Sequence, residues 1–530
     1  MKLAAAFRLI LPALLATSTI HAAETDPNYD LAVELRPGSH SIYVTGTWTI
    51  PATEIQKDPA RGRTRLISFV SSEKLLNLRI LYQGKMLPME CHSDDGQLSC
   101  KAQFKSPSRD AYKFSISYES DGIAAPQLRI DPDQAFAGSS GDYWYPQLAD
   151  KGATGTIRFE TPVAFKVVAP GRMIARTARG DRAETQFRVD VPVNLGFAAA
   201  PYHVYGQGMC MVYLLEEHAK AEQIAEGCER TANALSHIWG PLPSGGVKIV
   251  EVNFKGALLG VSESGYILAD SSEIRRDFEM NYWAHELSHQ WWGVSVHGVY
   301  RLPGGTLLTE GMAEYGALSV NRELGGKQGE ADYLSDRLAH EPSGAPMAHY
   351  LLILARHEDL ALTTVMEGDS SRLHYVVTSK GVMAIDMLAN EIGSRLFLQL
   401  SAEFLKARAS QSVTWKDLQA FLATRSGKNL DWFYAQWFDS TGLPLLYATW
   451  ETAGDGIDVT LHQCGLPYRL DQFPLLMRSA DINGNDEKQM VFGDFEGIAS
   501  TVHFAGSSGV YRVNPDPDHT FVWLPGICGQ

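Results

Sequence analysis

From about Asp26 to about Ala200 the chain reads as short runs in which apolar and polar residues alternate, such as "SIYVTGTWTI", "KFSISYES" and "TPVAFKVVA". Gly, Pro, Asp or Ser cuts off each run. A period of two with closely spaced turn residues predicts strands, so residues 24–205 are expected to form an N-terminal β domain. Near "YGQGMCMVY" the texture changes. "LLEEHAKAEQIAEGCERTANALSHIWG" carries apolar residues at helical spacing and stops at Gly240 and Pro241, which predicts one long helix. "VKIVEVNF" reads as a strand, while 327–340, "KGVMAIDMLANEIG" and "TWKDLQAFLATRSG" read as further helices, so residues 206–443 are expected to be mainly helical. From Leu445 the alternation returns in "LLYATWET" and "GIDVTLHQC", with an Asn-Gly turn in "INGND". Residues 444–530 are therefore expected to form a C-terminal β-sandwich, and the whole a multidomain α+β protein.

The first residues depart from all three textures. Lys2 and Arg8 precede an apolar run to about Leu15 and small residues up to Ala22 and Ala23, which predicts a secretory signal peptide over 1–23. Its apolar core is too short to span a bilayer, and no later stretch is apolar for long enough. The expected product is an exported protein, periplasmic or secreted, with no integral membrane segment after signal cleavage.

Six cysteines fit that destination, because an even count in an exported chain favours disulfides. Several connectivities stay open. The expected one pairs sequence neighbours: Cys91 with Cys100, Cys210 with Cys228, and Cys464 with Cys528. "CHSDDGQLSC" reads as a hairpin closed by such a bridge, and no pair has the two-residue spacing of a Cys-rich metal site. The formal charge of −15, which loss of Lys2 and Arg8 makes more negative still, argues against nucleic acid or an anionic membrane as partner. The short basic run "RGRTR" is expected to be a solvated turn between strands.

Candidate chemistry is concentrated in "WAHELSHQWWG" (283–293) and "LLTEGMAEY" (307–315). His285 and His289 are four apart, so on a helix both imidazoles project from one face and can share a cation. Glu286, beside a ligand yet unable to coordinate in the same way, is placed to take a proton from water and pass it to a leaving amine. A third ligand is needed, and Glu310 on the next predicted helix can supply it. Three protein ligands with one open position is the arrangement of a catalytic zinc, one Zn2+ per chain. Glu314, one turn past Glu310, lies on the same face and can orient a histidine from behind.

These segments resemble the membrane-alanyl-aminopeptidase family of gluzincin metallopeptidases, which includes the leukotriene A4 hydrolase-like enzymes. In that family the two-histidine helix leads into Gln-Trp-aromatic-Gly, matched here by Gln290, Trp291, Trp292 and Gly293, and the ligand glutamate stands in Glu-Gly-aromatic-Ala, matched in part by Glu310, Gly311, Met312 and Ala313. The family's Gly-Ala-Met-Glu-Asn, whose glutamate binds the substrate α-amine, has its counterpart in "GVSES" at Gly260 to Ser264, which assigns substrate binding to Glu263. "LDWFYAQWFDSTGLPLL" resembles the family's helix-to-sandwich junction, and "DYWYP" at Asp142 faintly resembles its aromatic-Pro segment. The resemblance implies a thermolysin-like mainly helical catalytic domain, peptide substrates, zinc on His285, His289 and Glu310, and Glu286 as general base and acid.

Three departures qualify the likeness. The loop "VHGVYRLPGG" makes the interval between His289 and Glu310 two residues longer than usual, which a loop absorbs without moving the ligands. The family's oxyanion tyrosine, two residues before Lys-Gly, is Thr378 here, with Tyr375 one turn away. "SES" replaces Met-Glu-Asn, and neither Gln134 nor Asp142 aligns with the second amine-binding residue of the family. The expected function is an exported zinc aminopeptidase that hydrolyses N-terminal residues from peptides. The alternatives are a gluzincin endopeptidase or other amide hydrolase, and a catalytically weak zinc-containing binding protein.

Overall fold

A computed structural model describes residues 26–525, apart from 58–62, 95, 122–123, 126, 139–142, 150, 256–257, 300–301, 338–345, 367–373, 465–466, 481–485, 507–508, 518–519 and 522. The signal peptide expected over 1–23 lies outside the described residues.

The N-terminal alternation does fold as sheets. In the strand Asn28–Arg36 the residues Tyr29, Leu31, Val33 and Leu35 are buried on one face of an eight-stranded sheet, while their neighbours are at least partly accessible. Trp48 from the adjacent strand Ser41–Pro51 stacks on Tyr29 with ring centroids 5.6 Å apart and meets Phe69 edge-on at 5.8 Å. Phe69 belongs to a separate four-stranded sheet, so this aromatic layer is the seam between the two. Each such side chain contributes roughly 1.5–3 kcal/mol by burial. In the same four-stranded sheet, Cys91 and Cys100 face each other across a hairpin and are bridged. Of the basic run, Arg65 is part of the strand Thr64–Ser72 and is buried, its guanidinium donating to the Thr64 carbonyl; it is not on a solvated turn, because the strand begins earlier than the charge pattern suggests.

The central region contains a five-stranded sheet as well as helices. Its strands run in the order His203–Tyr205, Cys210–Leu214, Val247–Val252, Tyr266–Asp270, Gly260–Glu263, which leaves Gly260–Glu263 at an edge. The helix Ala221–Trp239 ends before Gly240, whose φ of 94° an L side chain would resist, and a disulfide from Cys228 to Cys210 staples it to the sheet. The helix Met312–Arg337 includes part of the run expected at 327–340 and is broken at Gly326 (φ 58°, ψ −141°).

Beyond Pro444 the chain forms a four-stranded and a three-stranded sheet, with Val459, Leu461, Phe473 and Leu475 buried in its core. The strands Leu470–Ala480 and Asp486–Phe495 pair antiparallel around the Asn-Gly turn, which lies outside the described residues. Cys464 is disulfide-bonded; its expected partner Cys528 also lies outside them. The junction into this domain is tied to the helical region by Lys380, which is 1% exposed and donates to the Ser440 carbonyl at 2.7 Å. Asp359 accepts from the Gly442 amide at 2.6 Å and from the Tyr350 hydroxyl at 3.1 Å. Among the described residues no helix is long and apolar enough to cross a membrane.

Candidate active site

The helix Met280–Ser288 buries Trp283, Ala284 and Leu287 and turns His285 and Glu286 toward a cleft of about 750 Å³. His289 follows directly in helical conformation (φ −60°, ψ −22°), so the two imidazoles keep their one-turn spacing, with ring centroids 4.8 Å apart. The helix Met312–Arg337 packs alongside. At the crossing stands Gly316, where any side chain would collide with Ser288 Oγ and the Trp239 ring.

Glu310 does not lie on that long helix itself. It sits in a π-helical turn, Leu307–Gly311, that opens into it. Such wide turns re-aim a side chain relative to an α-helix and recur at functional sites. A second one, Val376–Gly381, packs against the first.

His285, His289 and Glu310 thereby converge, with donor atoms all within 4.8 Å of one another. Nε2 of His285 lies 3.2 Å from Nε2 of His289 and 3.3 Å from Glu310 Oε2, which is 3.6 Å from His289 Nε2. Ligands on a tetrahedral zinc with bonds near 2.0–2.2 Å stand about 3.3 Å apart, so the donor set fits that ion. The outer nitrogens are also settled. His289 Nδ1 is 3.1 Å from the Trp292 carbonyl, which can only accept, so Nδ1 carries the proton and Nε2 presents its lone pair. His285 Nδ1 lies 3.2 Å from Glu314, whose carboxylate also accepts from the Tyr333 hydroxyl at 2.8 Å and faces Arg337 at 3.4 Å.

The electrostatics favour positive charge here. Burial opposes protonation of His285, yet Glu314 and Glu310 outweigh it and push its pKa up to about 10. Glu314 is drawn down to about 2, against burial, by Arg337 and His285. Glu310 falls well below the usual carboxylate range, against burial, under the pull of His289, His285 and, more weakly, His374.

The edge strand Gly260–Glu263 forms the opposite lip. Ser262 Oγ stands 2.9 Å from Glu286 Oε2 and 2.8 Å from the Glu286 carbonyl. A side chain at Gly260 would meet Glu286 Oε1 at 2.7 Å and the Tyr282 hydroxyl at 2.6 Å, so the strand needs glycine to come this close. Gln290 spans the gap from behind, donating to the Glu263 carbonyl at 2.8 Å and accepting from the Gly265 amide at 3.0 Å.

Glu263 itself faces elsewhere. Gly260, Val261, Ser262 and Ser264 line the cleft, whereas Glu263 is 2% exposed, and its carboxylate is beside Gly196 and close enough to Tyr266 and Tyr145 to raise both phenols further. Strand alternation explains this, since Ser262 and Glu263 must point to opposite faces. Gln134 is buried and accepts from the Asn253 amide at 3.1 Å, and Asp142 lies outside the described residues. The N-terminal domain instead contributes Gln127, Tyr143 and Gln147 to the cleft wall. Thr378 and Tyr375 are likewise not among the described cleft residues, while His374 is. Of these features, the Ser262 contact was open to reading in "GVSES" from alternation alone; His374 carried no signal of its own.

Residues 259–437, which hold the edge strand, the two-histidine helix and both π-helical turns, match the model of the peptidase family M1 domain. This central stretch is similar to the peptidase family M1 domain. Its donor cluster at His285, His289 and Glu310 accords with a metallopeptidase, the chemistry of that family.

Proposed function

We propose that this M1 protein is an exported zinc-dependent aminopeptidase that removes N-terminal residues from peptides, with one zinc held by His285, His289 and Glu310. The observation that carries the reading is the convergence of those three donors beside Glu286, on a cleft bordered by an edge strand. The chemistry such an ion supplies when bound is Lewis-acid polarisation of a carbonyl oxygen and of water. Glu286 takes a proton from water as the water oxygen bonds to the scissile carbonyl carbon. It then delivers that proton to the amide nitrogen as the C–N bond breaks. Among the described residues Gly260–Glu263 is an edge strand, which offers main-chain groups to an extended peptide. Export is supported by the disulfides Cys91–Cys100 and Cys210–Cys228, which persist in oxidising compartments.

A second reading, endopeptidase, is favoured by one observation: Glu263, the residue the family likeness assigns to the substrate ammonium, is buried away from the cleft. Matched peptides with free and acetylated N-termini separate the two. A site that recognises the ammonium through a charge-assisted bond loses about tenfold to a hundredfold in kcat/KM on acetylation. Equal cleavage of both peptides would transfer the reading to the endopeptidase and leave the metal assignment standing.

A further inference from the structure

Peptide hydrolysis builds negative charge on the carbonyl oxygen, and a donor aimed at that oxygen speeds the reaction. The residues around the second π-helical turn, Val376–Gly381, are arranged so that one side chain there can serve. Thr378 is 3% exposed, and its hydroxyl donates to the carbonyl of His374 at 3.3 Å, so it is turned into the helix. Tyr375 lies flat against His349, with ring centroids 4.3 Å apart and planes 12° apart, and does not line the cleft. His374, one turn before Thr378, is exposed and lines the same cleft as His285, Glu286, His289 and Glu310.

We infer that His374 is a catalytic residue of the proposed peptidase, donating an imidazole N–H to the carbonyl oxygen as the tetrahedral intermediate forms. The imidazole opens on the cleft that also holds Glu286 and Glu310, on which the scissile carbonyl of a bound peptide would lie. No proton is transferred: the N–H bond stays intact, and the hydrogen bond strengthens as charge moves from the C=O bond onto oxygen. Either ring tautomer has one N–H, so the role does not depend on which charge state His374 holds. Three other donors along the cleft have partners of their own. The Tyr282 hydroxyl donates to the Leu259 carbonyl at 3.0 Å, His297 Nε2 faces the Pro192 carbonyl at 3.3 Å, and Arg337 is paired with Glu314.

The inference rests on the peptidase reading, and its test is chosen so that the two can fail separately. In the full-length zinc-loaded protein, His374→Ala should lower kcat about a hundredfold or more while KM stays within about twofold, because the bond matures only in the transition state. A phosphinic peptide, whose tetrahedral oxygens mimic that state, should lose affinity for the variant by a similar factor, with an uncharged substrate-shaped competitor unaffected. His374→Gln, which keeps an N–H donor, should recover a large part of the loss. Zinc content by metal analysis should equal that of wild type in both variants. Undiminished kcat in His374→Ala, or parallel weakening of the phosphinic and substrate-shaped ligands, would overturn the assignment to His374 alone. A wild type that hydrolyses no peptide and binds no phosphinic analogue would overturn the peptidase reading and this inference with it.

Discussion

Ser262 shows how one hydroxyl can determine the posture of Glu286, the proposed proton carrier. At 2.9 Å from Glu286 Oε2 it fixes the carboxylate in the cleft, and a hydrogen bond to a charged acceptor is worth about 1.5–3 kcal/mol. Ser262→Ala should therefore reduce kcat roughly tenfold to a hundredfold with zinc content unchanged, and Ser262→Thr, which keeps the hydroxyl, should stay near wild type. A fully active alanine variant would mean that Glu286 is held by something else. The metal-ligand candidates were legible in the sequence because the spacing of His285 and His289 on a helix dictates a shared face whatever surrounds it. Glu263 was not, because on a strand a displacement of one position reverses the face, and that face depends on packing near Gly196 and Tyr145 from distant parts of the chain.

At the scale of elements, the two π-helical turns and the helix Met312–Arg337 shape the site. The part of that helix before the break at Gly326 carries Glu314 from behind onto His285, and the part after it brings Tyr333 and Arg337 back onto Glu314, so the two halves together hold the imidazole's partner. Glu314→Gln should weaken zinc retention about tenfold to a hundredfold in competition with a chelator, since the amide replaces a charged partner of His285. Unchanged retention would reduce Glu314 to packing. The long helix at 221–239 was readable from its apolar period and its Gly-Pro stop. Much of the five-stranded sheet was not. "VKIVEV" betrays a strand, but "YILAD" is buried at every position, and so short an apolar run has no period to read. Nor does any residue pattern announce a π-helical turn, which arises where two packed helices demand one extra residue.

The whole molecule joins two β regions to a helical centre, an order that the change of texture along the chain makes plain; the N-terminal core adds a pH dependence of its own. Burial pushes the hydroxyls of Tyr29 and Tyr118 well above their ordinary value of 10.0, and does the same to Tyr145, Tyr202 and Tyr266. A raised folded-state pKa means stability that is intact below the unfolded value and is lost as pH climbs toward the folded one. Each of these tyrosines should cost about 1.4 kcal/mol per pH unit once pH is well above 10. Lys380 acts in the opposite sense over a lower range: burial depresses it to about 8, so that group alone favours the fold as pH rises from there to 10.5. Thermal midpoints should accordingly fall steeply beyond pH 10, with the tyrosinate absorbance of these five residues appearing only as the protein unfolds. Ionisation of the full complement of tyrosines in the folded state would contradict the buried placement.

Lys380 also has a mechanical consequence. Its ammonium grips the Ser440 carbonyl, and it belongs to the π-helical turn that begins two residues after His374. Asp359 holds Gly442 in the same stretch of chain. The chain between Ser440 and Gly442 is thereby held from two sides. The first strand of the C-terminal sandwich, Leu445–Ala453, thus starts within five residues of contacts that hold the chain beside the segment carrying His374. Sequence changes in this distal sandwich can then retune catalysis without touching any residue in contact with substrate.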